Sequence, residues 1–192
     1  MRKTVMVGCR GITPLLVHHI IDQSRRDEIA SCSDENLEEF FARDAEGKIV
    51  IPIPWIRDCV RSHVAVQKMP IGYGYQAKKS DVKKNVFILG KPIHVTSPEG
   101  TTPEWTVYSH PRHMAKGSKR IGLVRCPQIN SWHFTFGVDY EEPPINIAML
   151  QQLIAAAGCY VGLGLFRPEG GSSYANQFGK FEPVQFSLPM EV

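Results

Sequence analysis

The positions of apolar residues along the chain predict six main secondary-structure elements. Residues 2–9 alternate apolar with polar positions, which is typical of a half-buried strand. Residues 54–67 repeat apolar positions every four residues, as on one face of a helix. Further strands are predicted at 84–95, 119–138 and 180–187, and a second helix at 146–157.

The order strand, helix, strand, strand, helix, strand is the βαββαβ arrangement of ferredoxin-like domains, in which two helices cover one face of a sheet. We therefore expect an α+β fold with a ferredoxin-like or RRM-like core, built as a single domain of residues 1–192. Stretches at about 69–83 and 97–118 contain Gly and Pro and lack a hydrophobic period. They are predicted to be long inserted arms.

Local signals refine several elements. A short helix is expected from Asp34, which is a suitable N-cap residue, and Gly158 is expected just past the end of the second long helix. The alternation of Trp132, Phe134 and Phe136 places these rings in the core more readily than on a base-stacking surface.

Composition restricts the class of protein. Charged residues make up 21% and hydrophobic residues 43%, which argues against wholesale disorder. No apolar run approaches the roughly 20 residues of a membrane span, and no signal-peptide pattern follows Met1, so we expect a cytosolic protein without a membrane partner. The five cysteines are scattered and odd in number, which favours buried thiols over a disulfide framework.

Charge is distributed unevenly. Residues 1–60 hold eight basic and ten acidic residues, residues 61–125 hold twelve and three, and residues 126–192 hold two and six. Such a basic block attracts phosphates. The basic residues alternate with aromatic ones that can stack on bases, which favours a single-stranded nucleic acid over a merely solvated face. Besides the tyrosines of the two arms, Trp105 is a stacking candidate.

Glycines are concentrated near the C-terminus. Six of them fall within residues 158–181, between the second long helix and the last strand. Because glycine lacks a side chain and reaches positive φ, this stretch is predicted to be a loop that allows close approach of another chain.

Two stretches resemble motifs of the RAMP superfamily, the CRISPR-associated backbone proteins that polymerise along a guide RNA. Residues 44–61, DAEGKIVIPIPWIRDCVR, resemble the family's D-x-x-G motif with its following basic helix. Residues 177–181, QFGKF, together with the glycines before them, resemble its glycine-rich loop. Ile53-Pro54-Trp55 stands where the family has Gly-Ser-Ser, and the chain is short for such a subunit, which suggests a reduced relative from a phage or mobile element.

The resemblance implies a ferredoxin-like fold, binding to a nucleic-acid strand and side-by-side assembly into a homo-oligomer or filament. It carries over to six residues of this chain, namely Arg57, Arg61, Gly162, Gly164, Gly179 and Lys180.

We therefore predict a non-catalytic protein that binds single-stranded RNA or DNA, with a groove on the open face of the sheet where basic residues and the glycine stretch meet. The RRM binds single strands on that face. The candidate contacts beyond the six above are Tyr73, Tyr75, Lys78, Lys79, Lys83, Lys84, Tyr108, Arg112, Lys116, Lys119 and Arg120.

Other chemistry has weaker signals. His110 and His113 have a spacing found in metal sites, but no further ligand pair accompanies them, and nucleophile-elbow, Walker and dinucleotide motifs are missing from the sequence. We assign no cofactor, metal or catalytic residue. Two alternatives stay open: a phage structural or assembly protein that self-associates without nucleic acid, and a metal-independent ribonuclease that uses His110 or His113.

Overall fold

The structure is a computed structural model of the chain, and it describes residues 1–17, 34–69, 79–113, 121–170 and 177–191. It has an α+β fold with two antiparallel sheets. The strands are β1 (Arg2–Gly11), β2 (Leu15–Leu16), β3 (Val50–Ile51), β4 (Val86–Ile88), β5 (Ile93–Thr96), β6 (Thr106–His113), β7 (Ile121–Ile129), β8 (His133–Glu141), β9 (Phe181–Phe186) and β10 (Met190–Glu191). The α-helices are α1 (Ile53–Val60), α2 (His63–Gln67), α3 (Lys79–Asn85) and α4 (Ile147–Ala156).

The larger sheet is organised around β1 and β8, which pair antiparallel along almost their whole length. On its other side β1 pairs with β9 and, at its beginning, with β10. Strand β8 pairs, on the side opposite β1, with β4 and then with β5, and β5 in turn pairs with β3. The main strands therefore lie in the order β9, β1, β8, β4, with every pairing antiparallel.

The core lies on one face of this sheet, between the strands and the helices. Val5 and Val7 of β1 are fully buried, as are Leu150 and Ile154 of α4. Trp132, Phe134 and Phe136 are also buried and stack on one another in sequence, with centroids 5.4 and 5.8 Å apart. Their predicted place in the core is confirmed.

The predicted helix of residues 54–67 is in fact two helices, α1 and α2. The chain is extended at Ser62, whose hydroxyl accepts a hydrogen bond from the Val64 amide and so caps α2. Ser62 also donates to the Glu169 carboxylate, 2.6 Å away. A serine side chain that satisfies the backbone in this way competes with a continuous helix, which apolar spacing alone does not reveal.

A helix also occupies part of the expected arm at 69–83. Residues 79–85 form α3, and within residues 81–85, whose burial the structure describes, Val82 is the one fully buried residue. A helix with one apolar position shows no hydrophobic period in the sequence. The longest described helix, α4, has 10 residues, and within the described ranges no helix is long and apolar enough to cross a membrane.

The second sheet is a three-stranded one in the order β2, β7, β6. The arm expected at 97–118 is irregular up to residue 105 and then becomes β6, which pairs with β7 as a hairpin. The predicted strand of residues 119–138 is divided, because β7 belongs to this small sheet and β8 to the large one. Trp105, before the hairpin, is half-buried edge-to-face against Phe41, with centroids 5.7 Å apart.

Helix α4 ends differently from the expectation. Gly158 is not the residue after the helix but lies inside a π-helical turn of residues 157–161, and Gly162, at φ 68°, ends that turn. A side chain at Gly158 would overlap the carbonyl oxygen of Phe181. Because Gly158 has no side chain, the end of α4 can pack closely against β9.

Three backbone segments, residues 12–16, 162–165 and 178–180, meet at what we call the glycine crossing. The Leu163 amide donates to the Gly179 carbonyl at 2.9 Å, and the Leu165 amide donates to the Leu16 carbonyl at 3.0 Å. The Gly179 amide donates to the Pro14 carbonyl at 2.8 Å. The crossing therefore ties the glycine stretch to the chain that follows β1.

The glycines of the crossing are the residues that make it possible. Gly162, Gly164 and Gly179 all have positive φ and are buried. A Cβ at Gly179 would overlap the Leu163 carbonyl, and one at Gly164 would overlap the Leu16 carbonyl. The sequence predicts that another chain approaches the glycines closely. In the structure, the backbone that approaches them belongs to the same chain.

We expect Gly179→Ala to destabilise the fold strongly, by roughly 3 kcal/mol or more, since it combines a left-handed φ of 69° with steric overlap. The matched control is Gly47→Ala, where φ is 79° but no atom lies within 4 Å of the added methyl group, so the cost is about 1 kcal/mol. Denaturant unfolding of both variants measures the difference. Equal losses would show that the crossing does not depend on close approach.

Candidate nucleic-acid interface

A basic cleft opens beside α1, between α2, α3 and the glycine stretch. Its larger part is a cavity of about 450 Å³. An adjoining cavity of about 180 Å³ shares Asp58 and Glu169 with it and reaches Gly162 and Gly164. We define the basic cleft by its cationic and imidazole side chains, Arg57, Arg61, His63, Lys83 and Arg167.

Helix α1 supplies the cleft because it is amphipathic. Ile56, Cys59 and Val60 are buried toward the core, which turns the basic positions of the helix outward. Arg57 is exposed and its Nε donates to the Asp58 carboxylate at 3.0 Å. This surface ion pair contributes little stability but restricts where the guanidinium points.

Arg61 is held more firmly. Its Nε and Nη2 both donate to the Val86 carbonyl, the former at 3.0 Å. Its guanidinium also lies 5.4 Å from the centre of the Phe87 ring. Burial, with a smaller effect from Arg57, lowers the pKa of Arg61 below its ordinary value. The side chain thus joins α1 to strand β4 and sets one wall of the cleft.

Two carboxylates partly balance the positive charge of the basic cleft. Four Lys and Arg side chains line it together with two carboxylates, those of Asp58 and Glu169, so a positive excess remains. Glu169 is engaged by the Ser62 hydroxyl at 2.6 Å. A polyanion would meet a positive surface whose two acids are already used within the protein.

The cleft lies beside α1 at the β4 edge of the large sheet, where Arg61 contacts Val86 and Phe87, whereas the sequence led us to expect a groove on the open face. Arg57 lies on α1 and Arg61 follows the helix directly, and the apolar face of α1 packs on the core side of the sheet. The outward face of the helix therefore points away from the open face.

The basic cleft brings together several of the residues that the sequence predicts to contact nucleic acid, while others lie elsewhere in the structure. Arg57, Arg61, Lys83, Gly162 and Gly164 line the cleft or its extension. The two other predicted residues of the glycine stretch, Gly179 and Lys180, belong to the glycine crossing, where the Lys180 amide donates to the Thr13 hydroxyl at 2.9 Å. Lys84 is exposed on α3 but does not line the cleft.

Tyr108 has a packing role in the structure. Its half-buried ring lies 5.0 Å from Phe178 and 6.4 Å from Phe166, and it stacks on His110. His110 is 8% exposed and faces Phe166 at 5.8 Å. This cluster attaches the β6–β7 hairpin to the glycine crossing.

The remaining candidates lie at or beyond the limits of the described structure. Lys79 begins α3, and Arg112 pairs with Gly122 in the hairpin. Outside the described residues are Tyr73, Tyr75, Lys78, Lys116, Lys119 and Arg120.

The sequence prediction missed His63, Arg167 and Glu169 as cleft residues. His63 follows the break at Arg61-Ser62, which lies inside the helix that the apolar spacing predicts. The other two lie in Arg167-Pro168-Glu169, within the glycine stretch, where Arg167 is the first basic residue. A basic residue inside a glycine-rich stretch was the available signal for Arg167.

The D-x-x-G motif at Asp44 forms a turn that is fixed by hydrogen bonds. The Asp44 carboxylate accepts from the amides of Glu46 and Lys48, both at 2.9 Å, and Gly47 takes a φ of 79°. Its other oxygen lies 2.7 Å from Nε2 of His94 on β5. The hydrogen bond from His94 is the main cause that lowers the pKa of Asp44 from its ordinary 3.8, with help from the two amides.

Asp44 therefore stabilises the fold in its ionised form. Because its pKa is lower when folded, its contribution is complete above about pH 4 and is lost as the pH falls through the lowered value. We expect Asp44→Asn to reduce the free energy of unfolding at pH 7 but to lose this deficit relative to the wild type near pH 2. Urea unfolding at both pH values measures it, and a deficit that is constant with pH would contradict the assignment.

Among the described residues, the thiols and the side chains that can bind metals indicate no further functional group in the cleft. Cys9, Cys59 and Cys126 are buried, and burial raises the pKa of Cys126 to about 12, while Cys159 is exposed. Among the residues that the structure describes, no three His, Cys, Asp or Glu side chains are grouped so that they could hold a metal ion.

Comparison with solved structures gives the fold relationship. The chain is similar to a chain of the "Cryo-EM structure of the Type III-B Cmr-beta bound to cognate target RNA", with a TM-score of 0.60 and 16% sequence identity. The match covers 97% of this chain and 60% of that one, so this chain spans about three fifths of its length. No protein-family model and no curated protein matches the sequence. The two chains share a fold.

Proposed function

We propose that this protein is a RAMP-like subunit that binds single-stranded RNA through the basic cleft and does not cleave it. The observation that carries the proposal is the convergence of Arg57, Arg61 and Lys83 with the glycine stretch at one cleft. These parts are distant in sequence, and two of them belong to the stretches that resemble RAMP motifs.

The arrangement of the large sheet supports a ferredoxin-like core. Numbered by their place in the βαββαβ order, the strands β9, β1, β8 and β4 are the fourth, first, third and second, and all neighbours are antiparallel. Helices α1 and α4 contribute to the core on one face. RNA is favoured over DNA as the ligand because the similar chain belongs to a complex bound to target RNA.

Binding at the cleft would depend on phosphate contacts. Arg57 and Lys83 present exposed cationic groups, and Arg61 is fixed between Val86 and Phe87. Guanidinium groups suit the geometry of phosphate oxygens and need no particular base. We therefore expect affinity that is independent of sequence and strongly dependent on salt.

The double variant Arg57→Gln with Lys83→Gln tests the cleft. Each lost phosphate contact lowers the slope of log affinity against log salt by about 0.7, so the double variant should lose about 1.4 units of slope for single-stranded RNA. Lys91→Gln is the matched control, because Lys91 is exposed in the turn before β5 and outside the cleft. Fluorescence anisotropy over a range of salt concentrations measures all three proteins.

If the double variant kept the full slope, the cleft would not be the binding site. The wider basic set, which includes Lys78, Lys79, Lys84, Arg112, Lys119 and Arg120, is tested separately. Charge reversal at four of its positions should abolish measurable binding at physiological salt, and unchanged affinity would contradict a role for this set.

We further propose that subunits assemble side by side along the strand. The freshly purified protein should then show an absorbance ratio at 260 and 280 nm above that of protein alone, and nuclease treatment should reduce its size in gel filtration. Oligomers that form without nucleic acid and resist nuclease would instead indicate a self-associating structural protein. Cleavage of labelled RNA by the purified chain would contradict the non-catalytic assignment.

A further inference from the structure

The open face of the large sheet has a depression centred on Gly8. It has a volume of about 320 Å³, at the lower end of the range for small-molecule sites. Gly8 pairs with Thr135 on one side and Gln185 on the other, and Thr96 pairs with His133. Strands β5, β8 and β9 thus contribute side chains around one position of β1 that has none. The lining residues are Gly8, Cys9, Pro92, His94, Thr96, His133, Phe134, Thr135, Val184 and Gln185.

Gly8 forms the floor of the depression because it leaves space above the sheet. Its φ is not in the left-handed region, and a Cβ added there would lie 3.5 Å from Cβ of Gln185 and 3.9 Å from Oγ1 of Thr135, both ordinary contacts. The backbone therefore does not require glycine here. A larger residue would fill the depression without straining the strand.

The polar groups around the floor are neutral hydrogen-bonding groups. Thr96 and Thr135 offer hydroxyls and Gln185 an amide, each able to donate and accept. His94 is oriented by Asp44, whose ionised carboxylate accepts the hydrogen bond from Nε2, so Nδ1 is the remaining polar atom of the ring. Pro92, Val184 and the His133 ring provide surfaces against which a planar group can pack.

The charges near the depression are unfavourable for a phosphate. Asp44 lies behind His94, with a carboxylate oxygen 2.7 Å from Nε2 of the ring. Arg10, which pairs with His133 across the strands, is engaged by Glu182. The ligand that fits is a planar, uncharged group with several donors and acceptors.

We infer that this depression binds one unpaired nucleobase. Unstacked bases are recognised in proteins by packing on ring surfaces and by hydrogen bonds along their edges, and the depression supplies both. The site is separate from the basic cleft, which lies beside α1 at the β4 edge of the sheet. As a site for free nucleosides it does not rest on strand binding at the cleft.

Gly8→Val tests the inference, because a β-branched residue suits a strand and its methyl groups would occupy the volume of the base. Met6→Val is the matched control, since Met6 lies two residues earlier on the same strand and face, outside the depression. Saturation-transfer NMR of ribonucleosides, with ribose 5-phosphate as a comparison ligand, measures binding to the wild type and both variants.

We expect transfer to the base protons of at least one nucleoside, little transfer to ribose 5-phosphate, and about tenfold or greater weakening in Gly8→Val but not in Met6→Val. The inference fails if no nucleoside binds the wild type at millimolar concentration, if ribose 5-phosphate competes equally, or if Gly8→Val binds as before with a normal melting temperature. Nucleoside binding should survive Arg57→Gln with Lys83→Gln, which separates this site from the proposed phosphate contacts.

Discussion

The close passage of three backbone segments at the glycine crossing is the constraint on which the rest of the structure depends. Hydrogen bonds from Leu163, Leu165 and Gly179 connect the chain after β1 to both ends of the glycine stretch. The crossing therefore fixes where β9 enters the large sheet and where the β6–β7 hairpin packs, through Tyr108 and its aromatic neighbours. It also positions Gly162 and Gly164 beside α1, so the wall of the basic cleft follows from the same contact.

The large sheet separates two kinds of surface. Its core side is covered by helices whose outward residues carry the lysines and arginines of the cleft. Its open side carries paired charges, as between Arg2 and Asp139 and between Arg10 and Glu182, and hydroxyl, amide and imidazole groups near Gly8. In the two proposed sites, the cationic groups of the cleft would give affinity, and the hydrogen-bonding groups near Gly8 could distinguish bases. The two proposed sites thus have complementary roles.

Much of the element order could be predicted from the sequence, because β1 and α4 each bury one face and their apolar spacing is strong. The predictions failed where a single polar or small side chain determines whether a helix forms or ends. Ser62 breaks the helix that the spacing of Ile56, Val60 and Val64 predicts, and Val82 is the fully buried residue of α3 among residues 81–85. The basic residues of the site were partly predictable from charge. Their position relative to the sheet was not, because it depends on which face of α1 packs inward and not on net charge.

The crossing also has a consequence for how the chain can vary. Leu163 and Gly179 are joined by a hydrogen bond, so the segment between Leu165 and Gln177 leaves and returns at neighbouring points. Doubling the length of a flexible loop with fixed ends costs only about 0.6 kcal/mol. Insertions after Gly170, which spare the contacts of Phe166 with Tyr108 and of Glu169 with Ser62, would leave both flanking elements in register. The fold thus offers a permissive place, next to Arg167 and the cleft, where new binding specificities can be acquired or engineered.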